Sequence, residues 1–367
     1  MTDYLRDPIK LQFELSSMCN ALCFGCVRTD YDTFNNKKYM IPDREYITFD
    51  LFKKIVTAPE FKTAIELEFC GTIDDPLMHP EFIEFLDFAA DYAPKRFTVQ
   101  IHTNASLRNA AYWTRLAEVL KKHKKHYLKF NIDGLEDTNK IYRQNTSWDK
   151  IMDNAQAFIQ AGGRAYWQYL IFPWNAHQVD LAQQLSVDMG FKGFTARHDR
   201  SIATEWGLER IQFLKKQNTS MPMTVTLEQL NKNNEHIINN NIRCNNMEKK
   251  MFFIGYDGRL WPCCFLHNGK FSLNEGKTEI LNKRLFEAYG DMDWNNMYVK
   301  EIGDILNHSF YSNDLLASWE SREHGCGKTD RIYRCTEICN VKKLEKLPIG
   351  EHTTWYTWKD WKPGDDS

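Results

Sequence analysis

No run of eighteen apolar residues occurs in the 367-residue chain, which argues against a membrane-spanning helix. The opening segment, Met1–Lys10, is polar and charged and lacks the apolar stretch of a secretory signal. Charge of one sign is missing too: 47 basic against 49 acidic residues leave a formal net charge of −2. So small a net charge gives no field that recruits nucleic acid or an anionic membrane. Internal repeats and low-complexity tracts are also absent, so a repeat array is not expected. Together these absences lead to an expectation of a cytoplasmic protein with neither membrane nor nucleic acid among its partners.

What is present is a globular balance, 43% hydrophobic and 26% charged. The length suits two domains, or one large barrel with an appendage, and buries a core without disulfide staples. Aromatics at 14% fit a pocket-bearing enzyme and a plain large core equally. The ten cysteines need an explanation in a reducing compartment, where disulfides rarely persist. Cys19, Cys23 and Cys26 cluster near the start, and Cys70 stands alone. Cys244, Cys263, Cys264, Cys326, Cys335 and Cys339 fall in the last third. That distribution reads as metal ligation in two separate places.

From the start to about residue 200, short apolar runs alternate with amphipathic stretches. Candidate strands are Lys10–Leu15, Ala64–Phe69, Phe97–His102, Leu128–Ile132, Tyr166–Phe172 and Gly193–Ala196. Helical spacing marks Pro80–Tyr92, Ala111–Lys122 and Trp148–Gln160, the last stopped by Gly162-Gly163. The alternation predicts parallel βαβ units closing into an open or partial barrel, with its chemistry at the C-terminal strand ends. Met223–Asn241 reads as a helix plus linker. Asp257-Gly258, inside Met251–Trp261, predicts a hairpin. The basic run Lys121–His126 is expected at a helix C-terminus, where cations complement the dipole.

The first cluster is C-x3-C-x2-C, directly after the first strand. Three thiolates on one tight loop can hold three irons of a cubane and leave the fourth open to a ligand. A zinc knuckle is the alternative, but zinc wants a fourth protein ligand close by, and no Cys or His follows within a dozen residues.

These residues resemble the radical S-adenosylmethionine (radical SAM) superfamily. The resemblance implies a [4Fe–4S] cluster on Cys19, Cys23 and Cys26, with S-adenosylmethionine on the open iron. It also implies reductive cleavage to a 5′-deoxyadenosyl radical that abstracts hydrogen from a substrate. Phe69–Pro80 is similar to the family loop that grips the cofactor ammonium. There Asp75 takes the place of the usual Glu, and Asp74 replaces a glycine. Further cofactor or substrate contacts implied at strand ends are His102, Asn104, Asn131, Asp133, Arg143 and Gln168, with Asn175, Arg197 and His198 beyond them. The family's bulky residue before the third cysteine is here Gly25, which leaves Phe24 as the aromatic available to pack near adenine.

The second cluster is similar to the auxiliary iron–sulfur extensions called SPASM and twitch. Thirteen residues separate Cys244 from Gly258, and four more separate Gly258 from Cys263. Cys326, Cys335 and Cys339 fit the first, third and fourth places of the downstream motif, while Thr329 occupies the second. The six candidates are one short of the seven that two clusters need, so one auxiliary [4Fe–4S] cluster is expected. Its ligands are expected to be Cys244, Cys263, Cys335 and Cys339, with Cys326 as the substitute. A four-cysteine zinc ribbon is the alternative.

The expected architecture is α/β. A partial (β/α)6 TIM-like barrel occupies 1–205 and a helical linker 206–243. A small cysteine-rich α+β auxiliary-cluster domain occupies 244–340, ahead of a tail over 341–367. The expected activity is that of a radical SAM oxidoreductase-type enzyme that oxidises or epimerises a small polar, sugar-like substrate. Its electrons would come from a flavodoxin- or ferredoxin-type donor. Only eighteen residues precede Cys19, so no leader-peptide-binding domain is expected ahead of it; a peptide substrate is the runner-up. Radical modification of RNA is a further alternative, without an appended basic module to support it. From another class, a non-catalytic zinc protein with structural or nucleic-acid-binding cysteine sites also remains open. The assignment leaves Cys70, Cys264 and Cys326 over; of these Cys70 and Cys264 are candidate hydrogen-atom donors to a substrate radical, although a small buried hydrophobe is the commoner fate of an isolated cysteine such as Cys70.

Overall fold

The computed structural model describes residues 7–23, 26, 28, 44–93, 95–198, 242, 244–267, 287–320, 324–325, 331–332, 335 and 339. Phe24, Cys326, the expected linker (Ile242 apart) and the C-terminal tail lie outside the described residues, as does the side chain of His198. The chain divides into two compact units. Unit one comprises Met1–Met18, Asp30–Val99 and Ile237–Glu345; unit two comprises Cys19–Thr29, Gln100–His236 and Lys346–Ser367.

Strand and helix alternate as the apolar runs predict. Strand β1 (Lys10–Phe13) precedes helix α1 (Phe49–Thr57), β2 (Glu66–Phe69) precedes α2 (Phe82–Tyr92), and β3 (Thr98–Thr103) precedes α3 (Ala110–Leu120). Then come β4 (Tyr127–Asn131), α4 (Glu136–Tyr142), α5 (Trp148–Gln160), β5 (Ala165–Ile171), α6 (Val179–Met189) and β6 (Gly193–His198). The cysteine-bearing part adds α7 (Asn245–Glu248), β7 (Met251–Ile254), β8 (Leu260–Trp261) and α8 (Cys264–His267). Helices α9 (Ile302–Asn307) and α10 (Leu315–Glu320) follow, then the short parallel pair β9 (His324–Gly325) and β10 (Arg331–Ile332).

Local chemistry explains the helix ends. The Ser147 hydroxyl accepts from the Lys150 amide at the start of α5, and Ile151, Ala155 and Phe158 bury one face. The amides of Gly162 and Gly163 return to the carbonyls of Ile159 and Phe158 and close that helix. Thr48 caps α1 in the same way, with Leu51, Phe52, Ile55 and Val56 buried. Lys121 caps the end of α3, so the basic run begins at a helix C-terminus as expected.

In unit one β1 lies between β2 and β7 and is parallel to both, Leu11 facing Leu67 on one side and Phe252 on the other. The hairpin at Asp257-Gly258 returns β8 antiparallel to β7. Gly258 sits at φ +73, and a Cβ there would run into the Tyr298 ring. In unit two the order is β6-β5-β4-β3, parallel throughout.

One face of each strand set is apolar and packs on helices. In unit one Phe13 stands 5.3 Å from Phe52 and 5.6 Å from Phe69, and Phe52 stacks on Phe85 at 4.6 Å. Truncating a ring so placed, as in Phe52→Ala, costs about 3–5 kcal/mol. The alternate positions are polar, because successive side chains point to opposite faces. They are Lys10, Gln12, Glu66 and Glu68 in unit one. In unit two the register lines up His102 with Lys129, and Asn131 with Gln168 and Thr195.

Candidate functional site

The loop after β1 carries Cys19, Cys23 and Cys26. It is pinned within unit two: the Leu22 amide donates to the Gln144 carbonyl at 2.9 Å, and the Cys26 amide turns back to the Cys23 carbonyl at 3.1 Å. Arg28 Nη1 holds the Cys19 carbonyl at 3.0 Å, and Asn145 Nδ2 holds that of Asn20 at 2.8 Å. Two donors are aimed at sulfur. Asn104 Nδ2 lies 3.6 Å from Cys19 Sγ, and Arg143 Nη1 lies 3.8 Å from Cys23 Sγ. A guanidinium and an amide N–H facing thiols form a donor set that suits anionic sulfur. Burial pushes the Cys23 thiol up to about 12, against the pull of Arg143; iron coordination would displace that proton. The residues therefore fit a cluster that takes three thiolates.

Behind this loop Arg143 Nε donates to Asp133 Oδ2 at 2.7 Å. Asp133 is fully buried, and its Oδ1 accepts from the Leu170 amide at 2.7 Å. Burial raises its carboxyl, while Arg143 and Leu170 oppose the shift. Asp133 thus positions Arg143, each of its oxygens accepting one of these hydrogen bonds. Asn175 is likewise knitted in, its amide donating to the carbonyls of Asp133 and Leu170, both at 2.9 Å. On the polar strand face, His102 hydrogen bonds Gln100. Gln168, with its amide oxygen turned to Arg197, accepts from Nη2 at 2.7 Å and Nε at 3.2 Å.

The loop after β2 belongs to unit one. Glu14 Oε1 accepts from the amides of Thr72 and Ile73 at 2.9 and 2.7 Å. Asp74 Oδ2 accepts from Leu15 and Ser16 at 2.9 and 3.1 Å. Burial, then the charges of Glu14 and Asp75, push Asp74 well above the usual carboxylate range. Asp75 Oδ1 caps the short turn Pro76–Met78 through the Leu77 amide at 3.1 Å, and its own amide reaches the Met18 carbonyl at 2.9 Å. Glu14 was not singled out from the sequence, although the alternation Lys10, Gln12, Glu14 carries the signal.

The second thiol site also lies in unit one. Cys244, Cys263, Cys335 and Cys339 line one cavity, whose walls include Leu315 and Trp319. The Cys339 amide donates to the Cys335 carbonyl at 2.9 Å. A hydrogen bond with Cys339 lowers Cys244 to about 7, while Cys339 is pushed up. That thiol pair shares its protons. Four sulfurs on one apolar cavity fit a [4Fe–4S] cluster or a zinc ion. Cys264 is not among the residues that line the cavity; it hydrogen bonds Thr72 and lies near Cys70. The two spare thiols therefore belong to one neighbourhood.

Residues 13–185 match the family model described as the Radical SAM superfamily. No curated protein matches the chain. Among solved structures, Streptococcus suis SuiB bound to precursor peptide SuiA shares 14% identity at a TM-score of 0.53. That match covers 90% of this chain and 76% of SuiB. SuiB bound to S-adenosylmethionine gives a TM-score of 0.52 at 14% identity, covering 89% of this chain and 72% of that one. Native anSMEcpe with bound AdoMet and the Cp18Cys peptide gives 0.50 at 15% identity, covering 91% and 89%. At these identities the structures establish a shared fold, the partial (β/α)6 barrel. Family model and fold agree: this chain carries a radical SAM domain over residues 13–185, the cofactors of which are a [4Fe–4S] cluster and S-adenosylmethionine.

Proposed function

We propose that the enzyme is a radical SAM oxidoreductase that takes hydrogen from a C–H bond of a small polar, sugar-like substrate, ending in oxidation or epimerisation. The cluster and S-adenosylmethionine, when bound, supply a 5′-deoxyadenosyl radical as the hydrogen abstractor. Cys19, Cys23 and Cys26 hold that cluster, with Asn104 and Arg143 donating toward the sulfurs. Asp75 takes the cofactor ammonium, and Phe24 packs near adenine. Cys244, Cys263, Cys335 and Cys339 hold an auxiliary [4Fe–4S] cluster, with Cys326 in reserve. A flavodoxin- or ferredoxin-type protein delivers electrons. Cys70 and Cys264 stand ready to return a hydrogen atom if the outcome is epimerisation.

The polar row His102, Lys129, Asn131, Gln168 and Arg197 on one face of β3–β6 supports a hydrogen-bonding substrate. A second reading, a peptide substrate, is favoured by the peptides bound to SuiB and anSMEcpe, whose fold the chain shares. The test is anaerobic incubation with S-adenosylmethionine, dithionite, and either a metabolite fraction or a peptide fraction of cell extract. Iron, zinc and 5′-deoxyadenosine are quantified together. Stimulation by the metabolite fraction alone supports the first reading, and by the peptide fraction alone the second. A colourless zinc-loaded protein that leaves S-adenosylmethionine intact overturns both.

A further inference from the structure

His267 ends α8 three residues after Cys264, and the chemistry above does not use it. Its side chain is 1% exposed. Nδ1 lies 3.2 Å from Glu14 Oε2, an ion pair off the ideal hydrogen-bond line, and Nε2 lies 3.2 Å from Asp257 Oδ1. A neutral imidazole carries one N–H and serves one carboxylate. Two nitrogens facing two carboxylates select the doubly protonated ring. Burial disfavours that charge, but Asp257 and Glu14 outweigh it and lift His267 to about 9.

The surroundings are shaped to this ring. Phe253 is tilted against it at 5.2 Å, and Tyr256 meets it edge-on at 5.5 Å. Gly255 forms the floor, where a Cβ would fall on the imidazole and on Asp257 Oδ1. The partners lead outward in two directions. Glu14, held by His267 through Oε2, holds the amides of Thr72 and Ile73 through Oε1. Those amides belong to the loop that carries Asp74 and Asp75. In the other direction, α8 begins directly after Cys263 and carries Cys264 on its first turn.

We infer that His267 is a positioning residue: through Glu14 it fixes loop 70–75 to the cysteine-bearing segment 263–267. The second thiol site and the proposed ammonium loop then set each other's geometry. The linkage stands on unit one alone, whereas naming the loop's ligand rests on the function proposed above.

The test separates those two statements. Amide hydrogen exchange of the reconstituted protein, without S-adenosylmethionine, reads the linkage in peptides covering 70–78, with α2 as the reference. His267→Gln leaves the Glu14 charge buried without its cation, and exchange at Thr72 and Ile73 is expected to rise about tenfold while α2 holds. Adding Glu14→Gln removes the orphaned charge and is expected to recover most of the protection. A purely structural role predicts no such rescue. S-adenosylmethionine binding, measured on the same proteins, should weaken and recover in step. If loop exchange does not move in His267→Gln, or α2 loosens equally with no rescue by Glu14→Gln, the inference is wrong. If loop exchange responds while the parent protein binds no S-adenosylmethionine, the linkage stands and the functional reading falls. Should His267→Gln fail to fold, Asp257→Asn removes the opposite carboxylate, and unchanged loop exchange there is equally fatal.

Discussion

Arg143 touches Asp133 and Cys23 with different nitrogens of one guanidinium, Nε at 2.7 Å from the carboxylate and Nη1 at 3.8 Å from the sulfur. The carboxylate is fully buried and the guanidinium nearly so. Arg143→Lys keeps the charge but offers one point donor where two divergent ones are needed. It is expected to retain the fold and lower iron incorporation at the first site, read by iron content and electron paramagnetic resonance. Asp133→Ala strands a buried cation and is expected to cost about 3–5 kcal/mol in chemical unfolding. Equal effects from both substitutions would mean the guanidinium's shape is unimportant.

Replacing Cys19, Cys23 and Cys26 together by Ala is expected to abolish 5′-deoxyadenosine formation while iron persists at the second thiol site. Residual 5′-deoxyadenosine from that variant would remove the first cluster from its proposed place.

The Asp75 carboxylate combines a helix-turn cap with the proposed ammonium contact, and two substitutions separate these. Asp75→Asn keeps a cap acceptor and loses the charge, so binding of S-adenosylmethionine should weaken about tenfold to a hundredfold with little loss of stability. Asp75→Ala should add about 1 kcal/mol of destabilisation from the lost cap. Unchanged affinity in both would transfer the ammonium to Asp74.

His126 gives a pH signature unconnected with catalysis. Burial, then the nearby His123 and Arg164, lowers it to about 3, and its Nδ1 is buried without a hydrogen-bond partner. The unfolded chain takes up this proton first, so the contribution is intact above pH 6.5 and fades as pH falls toward 3. At pH 5 the loss is on the order of 2 kcal/mol. His126→Phe is expected to flatten the acid limb of a denaturation series; an unaltered limb would place the titration elsewhere.

Burial pushes the Cys264 thiol up to about 12, so it keeps its hydrogen at neutral pH. With a turnover assay in deuterated water, solvent deuterium in the product, lost in Cys264→Ala or Cys70→Ala while 5′-deoxyadenosine still forms, would mark the quenching thiol. An oxidised product without deuterium, made equally by both variants, would exclude that role.

The six barrel strands were legible in the sequence because each is a short apolar run bounded by helical spacing or turn residues. Trp148–Gln160 was readable to the residue, since Ser147 and Gly162 mark both ends. Helix α1 carried equal signals, the Thr48 cap and the spacing of Leu51, Phe52 and Ile55, and they went unused. The parallel pairing of β7 with β1 was not legible, since strand partners so far apart in sequence leave no local mark. The resemblance to the auxiliary-cluster extensions pointed to the four thiols of the second cavity, with Cys326 kept as a substitute. Asp133 could be placed at a strand end but not assigned inward, because a polar residue after a strand reads the same whether it faces a ligand or a neighbouring arginine. His267 belongs to no motif, and its meaning lies wholly in Glu14 and Asp257.

The seat of β7 against β1 limits how this enzyme can be cut and recombined. Lys10–Phe13 uses one edge on β2 and the other on Met251–Ile254. A fragment ending before residue 244 would expose that second edge, an open template for pairing with another chain. The cysteine-rich part is therefore not a cassette that laboratory fusion or gene rearrangement can exchange at will. A transplanted replacement must bring its own strand in register with Lys10, or the recipient barrel will present a sticky rim.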